Sequence, residues 1–455
     1  MSGVEIDFET KSAVELRTRG VYNYMDSPTT EPLMASYSID GGPIKRWRPP
    51  APCPDDLRVA IESGATISAH NAGFERLLMQ RILAVRYGWP MPETRQFRCT
   101  AATAAALGLP RALDDLGAAL GLTIQKDKIG KSLINKFSKP RKARKGEDPA
   151  GLYFNEPWEF PEDFERFHDY CDVDVRTEAL ADRRMVRLSD AEQAIYTMSE
   201  VKNDRGVRID LTSARAALAL AEAAKRQYDR EIRKATGGYV GAATQVSKLV
   251  EWVEMQGVAI SSGQKAEIEE LLELDDLPAH VRQAVQIRQD AAKSSVSKLK
   301  AMIARASPDG RVRGTSIYHA ASTGREQSVG VNFNNLPRPR KLYEDAHIDT
   351  SVLFEAIRTE DPDYLRLLYG DKLGKPLHLL SDAIRGFIWA GPGYDLLQAD
   401  YSGIEGAVIA WSSGEDWKVE AMHEIFADDS LPDMYRRTAA QIINTTTDVI
   451  TKKHH

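Results

Sequence analysis

The stretch Val4-Glu5-Ile6-Asp7-Phe8-Glu9-Thr10 alternates apolar and acidic side chains from its first residue to Glu9. A period of two is typical of a β-strand with one buried face. Because successive side chains of a strand point to opposite faces, Asp7 and Glu9 project together from the polar face. Two carboxylates held this close repel each other and favour a divalent cation between them. The stretch predicts half of a metal site, with an exposed acidic strand as the alternative.

A second acidic segment follows a predicted strand, Thr66-Ile67-Ser68-Ala69. The residues from His70 to Glu75 come next, and then a run with apolar residues at helical spacing. Asn71 is a residue type that caps helix starts, which puts Glu75 in the first helical turn. The sequence therefore predicts an acid just beyond the end of a strand.

A third acidic segment lies in a predicted helix from about residue 161 to residue 188. Tyr170 and Asp174 are four residues apart in it, so they share one face of the helix. Each of the three segments is common by chance. Together, and in this order, they resemble the three motifs of the 3′–5′ exonucleases of the DEDD superfamily, in the variant that carries a tyrosine. That superfamily most often has Asp where this chain has Glu75, and the acid there usually acts through metal-bound water.

This resemblance implies an α/β, ribonuclease H-like exonuclease domain over residues 1–190. Such a domain hydrolyses the 3′ end of a DNA strand with two ions of Mg²⁺ or Mn²⁺. The site residues that the resemblance implies are the metal ligands Asp7, Glu9 and Asp174, the further acid Glu75, the water-positioning Tyr170 and the DNA-contacting Asn71.

The composition of the whole chain limits the number of domains, the kind of DNA contact and the cellular location that can be expected. Its 455 residues are enough for two or three domains, and 42% hydrophobic with 28% charged residues is ordinary for a globular protein. A net charge of −6 excludes a chain-wide basic footprint, so DNA contacts must rest on local patches. The sequence has three cysteines without Cys-x-x-Cys spacing, and it shows no signal peptide and no apolar run of membrane length. These features predict a cytoplasmic protein of a bacterial or phage-infected cell.

One local patch is the basic segment, residues 126–145, which contains nine lysines and arginines. It is suited to hold the phosphates of a single DNA strand by salt-sensitive contacts. Charge blocks of this size are as often solvated loops, and Pro140 and Gly146 favour a loop. Both interpretations stay open.

Later segments resemble family A DNA polymerases. The segment that opens their polymerase part resembles Thr197 to Asp210, and the helical stretch from Leu211 to Ala306 matches their thumb. Thr323-Gly324-Arg325 and Asn334-Asn335-Leu336-Pro337 resemble the motif that contacts the primer–template. Asp400-Tyr401-Ser402-x-Ile404-Glu405 resembles their motif A.

The resemblance implies that Asp400 binds both polymerase metal ions, helped by the carbonyl of Tyr401, and that Glu405 excludes ribonucleotides at the sugar. A buried strand through Leu396 and Leu397 is expected to end at Asp400. The primer–template contacts that the resemblance implies are those of Arg325, Asn334 and Asn335.

The predicted organisation is an exonuclease domain over residues 1–190, a helical thumb with the palm entry over 191–310, and a partial α+β palm with the start of the fingers over 311–455.

The family's next helix, which binds the triphosphate, and its second palm carboxylate are not found, so we expect negligible nucleotide incorporation by these residues alone. The expected partners are DNA, as single-stranded 3′ ends and primer–template, and deoxynucleotides in the full-length parent. We expect a monomer.

Two alternatives to a polymerase portion with an active exonuclease remain. In the first alternative, the chain is a catalytically silent fragment that binds primer–template. In the second, it is an exonuclease joined to an unrelated helical domain. Motif A favours the polymerase assignment over the second of these.

Overall fold

The structure is a computed structural model that describes residues 3–122, 129–292, 295–401, 403–428 and 430–450. The chain divides into two units, Met1–Gly391 and Pro392–His455. The boundaries predicted near residues 190 and 310 both fall inside the first unit and remain predictions. Lys126 and Lys128 of the basic segment, and Ser402 of the motif A resemblance, lie outside the described residues.

The first part of the first unit contains a five-stranded sheet, whose strands are β1 Gly3–Lys11, β2 Glu31–Ile39, β3 Lys45–Trp47, β4 Thr66–Ala69 and β5 Phe97–Cys99. Their order in the sheet is β3-β2-β1-β4-β5. Its central strand, β1, pairs antiparallel with β2 and parallel with β4. Burial alternates along β1 as its sequence predicts, with the acids on the half-buried face. Strands β2 and β3 form an antiparallel pair. The predicted strand β4 is confirmed.

Nine helices of the described chain accompany this sheet. A π-helical turn, Met79–Leu83, joins the third and fourth of them. They are α1 Leu16–Met25, α2 Asp55–Glu62, α3 Gly73–Leu78, α4 Ala84–Arg86, α5 Thr100–Ala106, α6 Leu113–Ala119, α7 Gly130–Phe137, α8 Pro161–Arg184 and α9 Asp190–Arg205.

The start of α3 differs from the prediction. Ala72, not Asn71, is the N-cap residue, and no side chain accepts a hydrogen bond there. Asn71 has a φ of +66°, a left-handed conformation that Asn tolerates better than most residues. Its carbonyl oxygen accepts the N–H of Phe74 at 2.9 Å. The chain thus turns sharply between β4 and α3, and the backbone of Asn71 makes the contact that was expected of its side chain.

Helix α8 packs against β1 and β2 and positions the third motif. It begins with Pro161, whose missing N–H costs nothing at a helix start, and its first turn carries acids that favour the positive end of the helix dipole. It ends at Arg184, earlier than predicted, because Met185 is extended and Ser189 caps a new helix, α9. Beneath α8, Phe137 packs edge-on against Phe164 and stacked on Phe167.

The remainder of the first unit is mostly helical, as predicted for residues 211 to 306. The segment from Arg311 to Tyr318 contains two short strands. The elements are β6 Val207–Arg208, α10 Leu211–Ala235, α11 Val246–Met255, α12 Lys265–Glu273, α13 Ala279–Ala291, α14 Ser295–Arg305, β7 Arg311–Val312, β8 Ser316–Ile317, β9 Gln327–Ser328, α15 Lys341–Asp345, α16 Thr350–Arg358, α17 Pro362–Leu373 and α18 Pro376–Ala383. No helix in the described part of the chain has the length and apolarity to cross a bilayer.

The second unit contains α19 Ile404–Ser413, α20 Asp416–Ala427 and α21 Met434–Ile442. The prediction of a buried strand that ends at Asp400 is wrong. This segment has no regular structure, and Leu397 is 98% exposed. A strand needs a neighbour to satisfy its backbone groups, and no other strand pairs with this segment among the described residues.

A buried arginine ties the sheet region to α9. Arg76 in α3 is 1% exposed and donates to Glu200 at 2.9 Å and to Asp204 at 2.8 and 3.0 Å. Gln80 accepts a further bond from its guanidinium at 3.1 Å. Since a buried charge is tolerated only when it is paired, these bonds fix the position of α3 against α9.

Replacing this arginine tests its contribution. We expect Arg76→Met to lower the free energy of unfolding by about 3 kcal/mol, because it leaves two partly buried carboxylates without their cation. Urea titration of the full chain measures the effect. The control is Arg81→Met. Wild-type Arg81 forms an ion pair with Asp26 in which both side chains are about one third exposed, so we expect this variant to lower the free energy of unfolding by less than about 1 kcal/mol. Equal losses in the two variants would contradict the assignment.

The buried His168 in α8 is held in its neutral form. Its Nδ1 accepts from the Arg48 Nε–H at 2.9 Å, and its Nε2–H donates to the Ala35 carbonyl at 3.0 Å. Burial, followed by the positive charges of Arg48 and Arg46, lowers the pKa of His168 from 6.5 to about 4. A pKa that is lower in the folded than in the unfolded chain stabilises the fold above pH 6.5, and this stabilisation is lost as the pH falls towards 4.

The pH dependence of unfolding tests this. Between pH 7.5 and pH 5.0 we expect the thermal midpoint of the wild type to fall more steeply than that of His168→Gln. Glutamine offers an acceptor and a donor to the same two partners but takes up no proton on unfolding. The control is the exposed His280, whose replacement by Gln should leave the wild-type slope unchanged. Parallel curves for the wild type and His168→Gln would contradict the prediction.

Candidate active site

Residues from β1 and α8 meet on the half-buried face of the central strand. The Tyr170 hydroxyl is hydrogen-bonded to Asp174, and the carboxylates of Glu9 and Asp7 are its next charged neighbours. Burial, followed by the negative charges of Asp174, Glu9 and Asp7, raises the pKa of Tyr170 above its usual value. The phenol therefore keeps its proton at neutral pH. The structure brings these four predicted site residues together.

Glu75 joins them from the first turn of α3. It is 3% exposed, and its Oε2 has no hydrogen-bond partner in the described part of the chain. Burial, and then the negative charge of Asp7, raise the pKa of Glu75 well above its usual value. The side chain of Glu75 is thus an electrostatic neighbour of Asp7 in β1. Asn71, by contrast, is exposed.

Two residues that the motif analysis did not single out hold this arrangement. The Cys171 thiol is fully buried and donates to the Asp7 Oδ2 at 3.2 Å. Gly130, at the start of α7, lies against the Tyr170 ring, so a Cβ at that position would be 2.1 Å from the ring Cε2. The sequence offered a signal for Cys171, which is three residues before Asp174 and so shares its helix face. It offered none for Gly130, since this contact is made only in the folded chain.

Glu178 is a further acid at this site. It lies one helical turn beyond Asp174 and is 1% exposed. Burial, followed by the charges of Glu75 and Asp7, raises its pKa well above the usual value. The spacing of four between Tyr170, Asp174 and Glu178 was the signal in the sequence.

The candidate metal ligands have suitable chemistry, but their side chains in the described residues do not form a complete coordination site. Within the described ranges, no three Asp, Glu, His or Cys side chains are close enough to hold a metal ion. Carboxylate oxygens are the donors that Mg²⁺ and Mn²⁺ prefer, and Asp7, Glu9 and Asp174 supply them. The bare, buried Oε2 of Glu75 also indicates a site where a cation would relieve repulsion. The residues therefore fit a hard divalent cation, and direct ligation by these three remains a prediction.

The predicted primer–template residues of the first unit are all exposed. Arg325 lies in the turn between β8 and β9, where its carbonyl accepts the Ala321 N–H at 3.0 Å. The Asn334 amide donates to the Ser328 hydroxyl at 3.4 Å, and the Asn335 carbonyl accepts from Lys298. Their side chains are accessible to a ligand.

The predicted polymerase residues of the second unit lie at the start of α19. Glu405 is in the first turn of this helix, and Asp400 and Tyr401 precede it. All three are exposed, Tyr401 by 81%. The described residues of this unit form no carboxylate cluster around Asp400, so its roles and those of Tyr401 and Glu405 remain predictions.

The described part of the basic segment, residues 129–145, is divided between paired and exposed cations. Paired with acids are Lys136 with Asp163, Arg141 with Glu147 and Arg144 with Glu159. Exposed cations of the segment are Lys131, Lys139, Lys142 and Lys145. Lys136 lies in helix α7, so the loop interpretation is wrong for Gly130–Phe137. The exposed lysines leave phosphate binding open.

Comparisons with known proteins bear on the whole chain. No protein-family model matches it. A DNA polymerase of Bacillus phage SP02 is 34% identical over 463 residues, which cover 99% of this chain and 67% of the phage protein. The fold is similar to that of the POL domain of Pol1 from M. smegmatis, solved in complex with DNA primer-template and dNTP, with a TM-score of 0.55 and 15% identity.

That alignment covers 100% of this chain and 65% of the mycobacterial one, so the chain spans about two thirds of the length of each protein. At 15% identity the mycobacterial structure is informative about the fold alone. The phage protein, in contrast, shares one residue in three along almost the entire chain. Together with the motifs, this shows that the chain belongs to the family A-like DNA polymerases.

Proposed function

We propose that the first unit contains a proofreading 3′–5′ exonuclease, which removes the terminal nucleotide of a DNA strand with the help of two divalent cations. The observation that carries the proposal is the meeting of side chains from three separate segments: Asp7 and Glu9, Glu75, and Tyr170 with Asp174. Residues this far apart in sequence, all acidic but for one phenol, have no structural reason to share a buried face. A common ligand of positive charge supplies one.

The sheet supports the same proposal. Its central strand carries the first two acids and lies between the antiparallel β2 and the parallel β4. The outer strands β3 and β5 also run parallel to it, so β2 is the one strand of this described sheet with the opposite direction. This arrangement supports the proposal of a ribonuclease H-like domain, in which acids would gather on the central strand and on the helix across it.

Each side chain has a distinct task in this mechanism. Asp7, Glu9 and Asp174 would hold the cations, which when bound activate a water and stabilise the leaving 3′ oxygen. The Tyr170 hydroxyl, hydrogen-bonded to Asp174, would position the water by a hydrogen bond. Cys171 fixes the orientation of Asp7 through its thiol hydrogen bond.

The remaining expectations concern DNA. A single-stranded or frayed 3′ end suits such a site, because a paired terminus must first be unpaired at a cost in free energy. We infer that the exposed Arg325, Asn334 and Asn335 contact the primer–template, and that Asp400 and Glu405 serve nucleotide incorporation in the intact polymerase. The alternative function is primer–template binding without chemistry.

A 5′-labelled single-stranded oligonucleotide incubated with the protein and Mg²⁺ separates the two functions. We expect a ladder of shortened products, and at least about a 100-fold loss of rate in Asp7→Ala, since even outer partners of metal ligands cost about 10- to 100-fold when mutated. The control is Glu62→Gln, which changes an exposed acid paired with Arg58 in the same helix. Tight binding without a ladder would support the silent fragment, and parallel reactions with deoxynucleotides test incorporation.

The Gly130 contact provides a second test that leaves every acid in place. We expect Gly130→Ala to lower the rate of nucleotide release by on the order of 100-fold, because the new methyl group displaces the Tyr170 ring by more than an ångström. The control is Gly3→Ala, whose Cβ would meet no atom within 4 Å. Full activity in Gly130→Ala would show that the position of Tyr170 does not matter for the reaction.

A further inference from the structure

We propose that Glu178 is a fifth carboxylate of the exonuclease site, where it forms a pair with Glu75 and accepts hydrogen bonds from the water ligands of a divalent cation. The inference rests on the proposed exonuclease function and deepens it, because the three motifs assign no role to Glu178.

The position of Glu178 follows from the geometry of α8. Tyr170, Asp174 and Glu178 succeed one another at intervals of four, so they form one row along the helix face. This helix packs on β1. The strongest electrostatic neighbours of Glu178 are acids of the proposed site and its surroundings, namely Glu75, Asp7, Asp182 and Glu5. Glu178 thus faces the same buried region as the four acids that the motifs supply.

The burial of Glu178 is not compensated within the protein. It is 1% exposed, and its Oε1 has no hydrogen-bond partner among the described residues. The same holds for the Oε2 of Glu75, which is 3% exposed. Leaving a buried polar atom unpaired costs free energy, so each such atom in a folded protein calls for a ligand or another explanation. Here two such atoms belong to neighbouring carboxyl groups.

Buried acids of the first unit that lie outside the proposed site behave differently. Asp172, also in α8, accepts from the Arg46 guanidinium at 2.8 Å and from the Ser36 hydroxyl at 2.6 Å. Further buried acids with a cation partner are Asp290 with Lys375 and Asp382 with Arg340. Acids that stabilise the fold are thus paired with cations, whereas no ion pair joins Glu178 to Lys, Arg or His in the described part of the chain. Glu178 lacks the partner that a structural role requires.

The chemistry of the cation supplies a partner. Mg²⁺ binds to few protein carboxylates and retains several water molecules, whose O–H groups need acceptors. Carboxylate oxygens that face these waters without touching the ion meet that need. Such outer partners orient the inner ligands and tune cation affinity. The Glu75–Glu178 pair offers two free acceptor atoms for this purpose.

Binding of Mn²⁺ to the full chain, measured by isothermal titration calorimetry, tests the inference without relying on activity. We expect Glu178→Gln to weaken Mn²⁺ binding by about 10-fold, because an outer carboxylate is lost. Without metal, its thermal midpoint should equal or exceed that of the wild type, since the substitution removes a bare buried acid. Should the Gln variant fail to fold, Glu178→Met removes the same carboxylate in a similar volume.

The matched control is Asp182→Asn, one turn further along α8. Asp182 is also an acidic neighbour of Glu178 but already pairs with Arg187 at 3.1 Å. We expect its Mn²⁺ affinity to stay within about twofold of the wild type. In the oligonucleotide assay, a higher Mg²⁺ concentration should restore the rate of Glu178→Gln, which a purely structural defect would not allow.

Two different failures can be told apart. If the wild type binds Mn²⁺ and shortens the oligonucleotide but Glu178→Gln has unchanged affinity, only the role of Glu178 is overturned. If the wild type binds Mn²⁺ no better than Asp7→Ala and gives no ladder, the proposed exonuclease falls together with this inference.

Discussion

Repulsion among carboxylates buried between β1 and α8 is the constraint around which the first unit is organised. Burial alone raises the free energy of an ionised acid, and neighbouring negative charge raises it further. Glu75 and Glu178 are subject to both effects. The fold tolerates the arrangement because the helices that carry these acids are anchored elsewhere, α8 by the aromatic cluster around Phe137 and α3 by Arg76. The packing around the acids supplies the stability that the acids themselves reduce.

Much of this arrangement could be predicted from the sequence. Alternation of apolar and acidic residues identified β1, helical spacing identified the Tyr170 and Asp174 face, and the order of three motifs joined segments that are far apart in the chain. These signals are local periodicities, which a sequence displays directly. The helical region from residue 211 to residue 306 was predictable for the same reason.

The rest depends on contacts that have no local pattern. The backbone of Asn71 adopts a left-handed turn where its side chain suggested a cap, and only the path from β4 to α3 decides between the two. Leu396 and Leu397 read as a buried strand, yet a strand exists only where another strand pairs with it. The contact of Gly130 with Tyr170 joins two segments through the absence of a side chain, which no periodicity records.

Helix α3 has a consequence of its own. It has six residues, and two that follow each other along it have different neighbours: Glu75 is an electrostatic neighbour of Asp7 in β1, and Arg76 pairs with α9. A rotation of this helix about its axis moves both side chains at once. An insertion or deletion before Glu75 in this helix would disturb both sets of interactions together. The positions of Glu75 and Arg76 therefore cannot change independently.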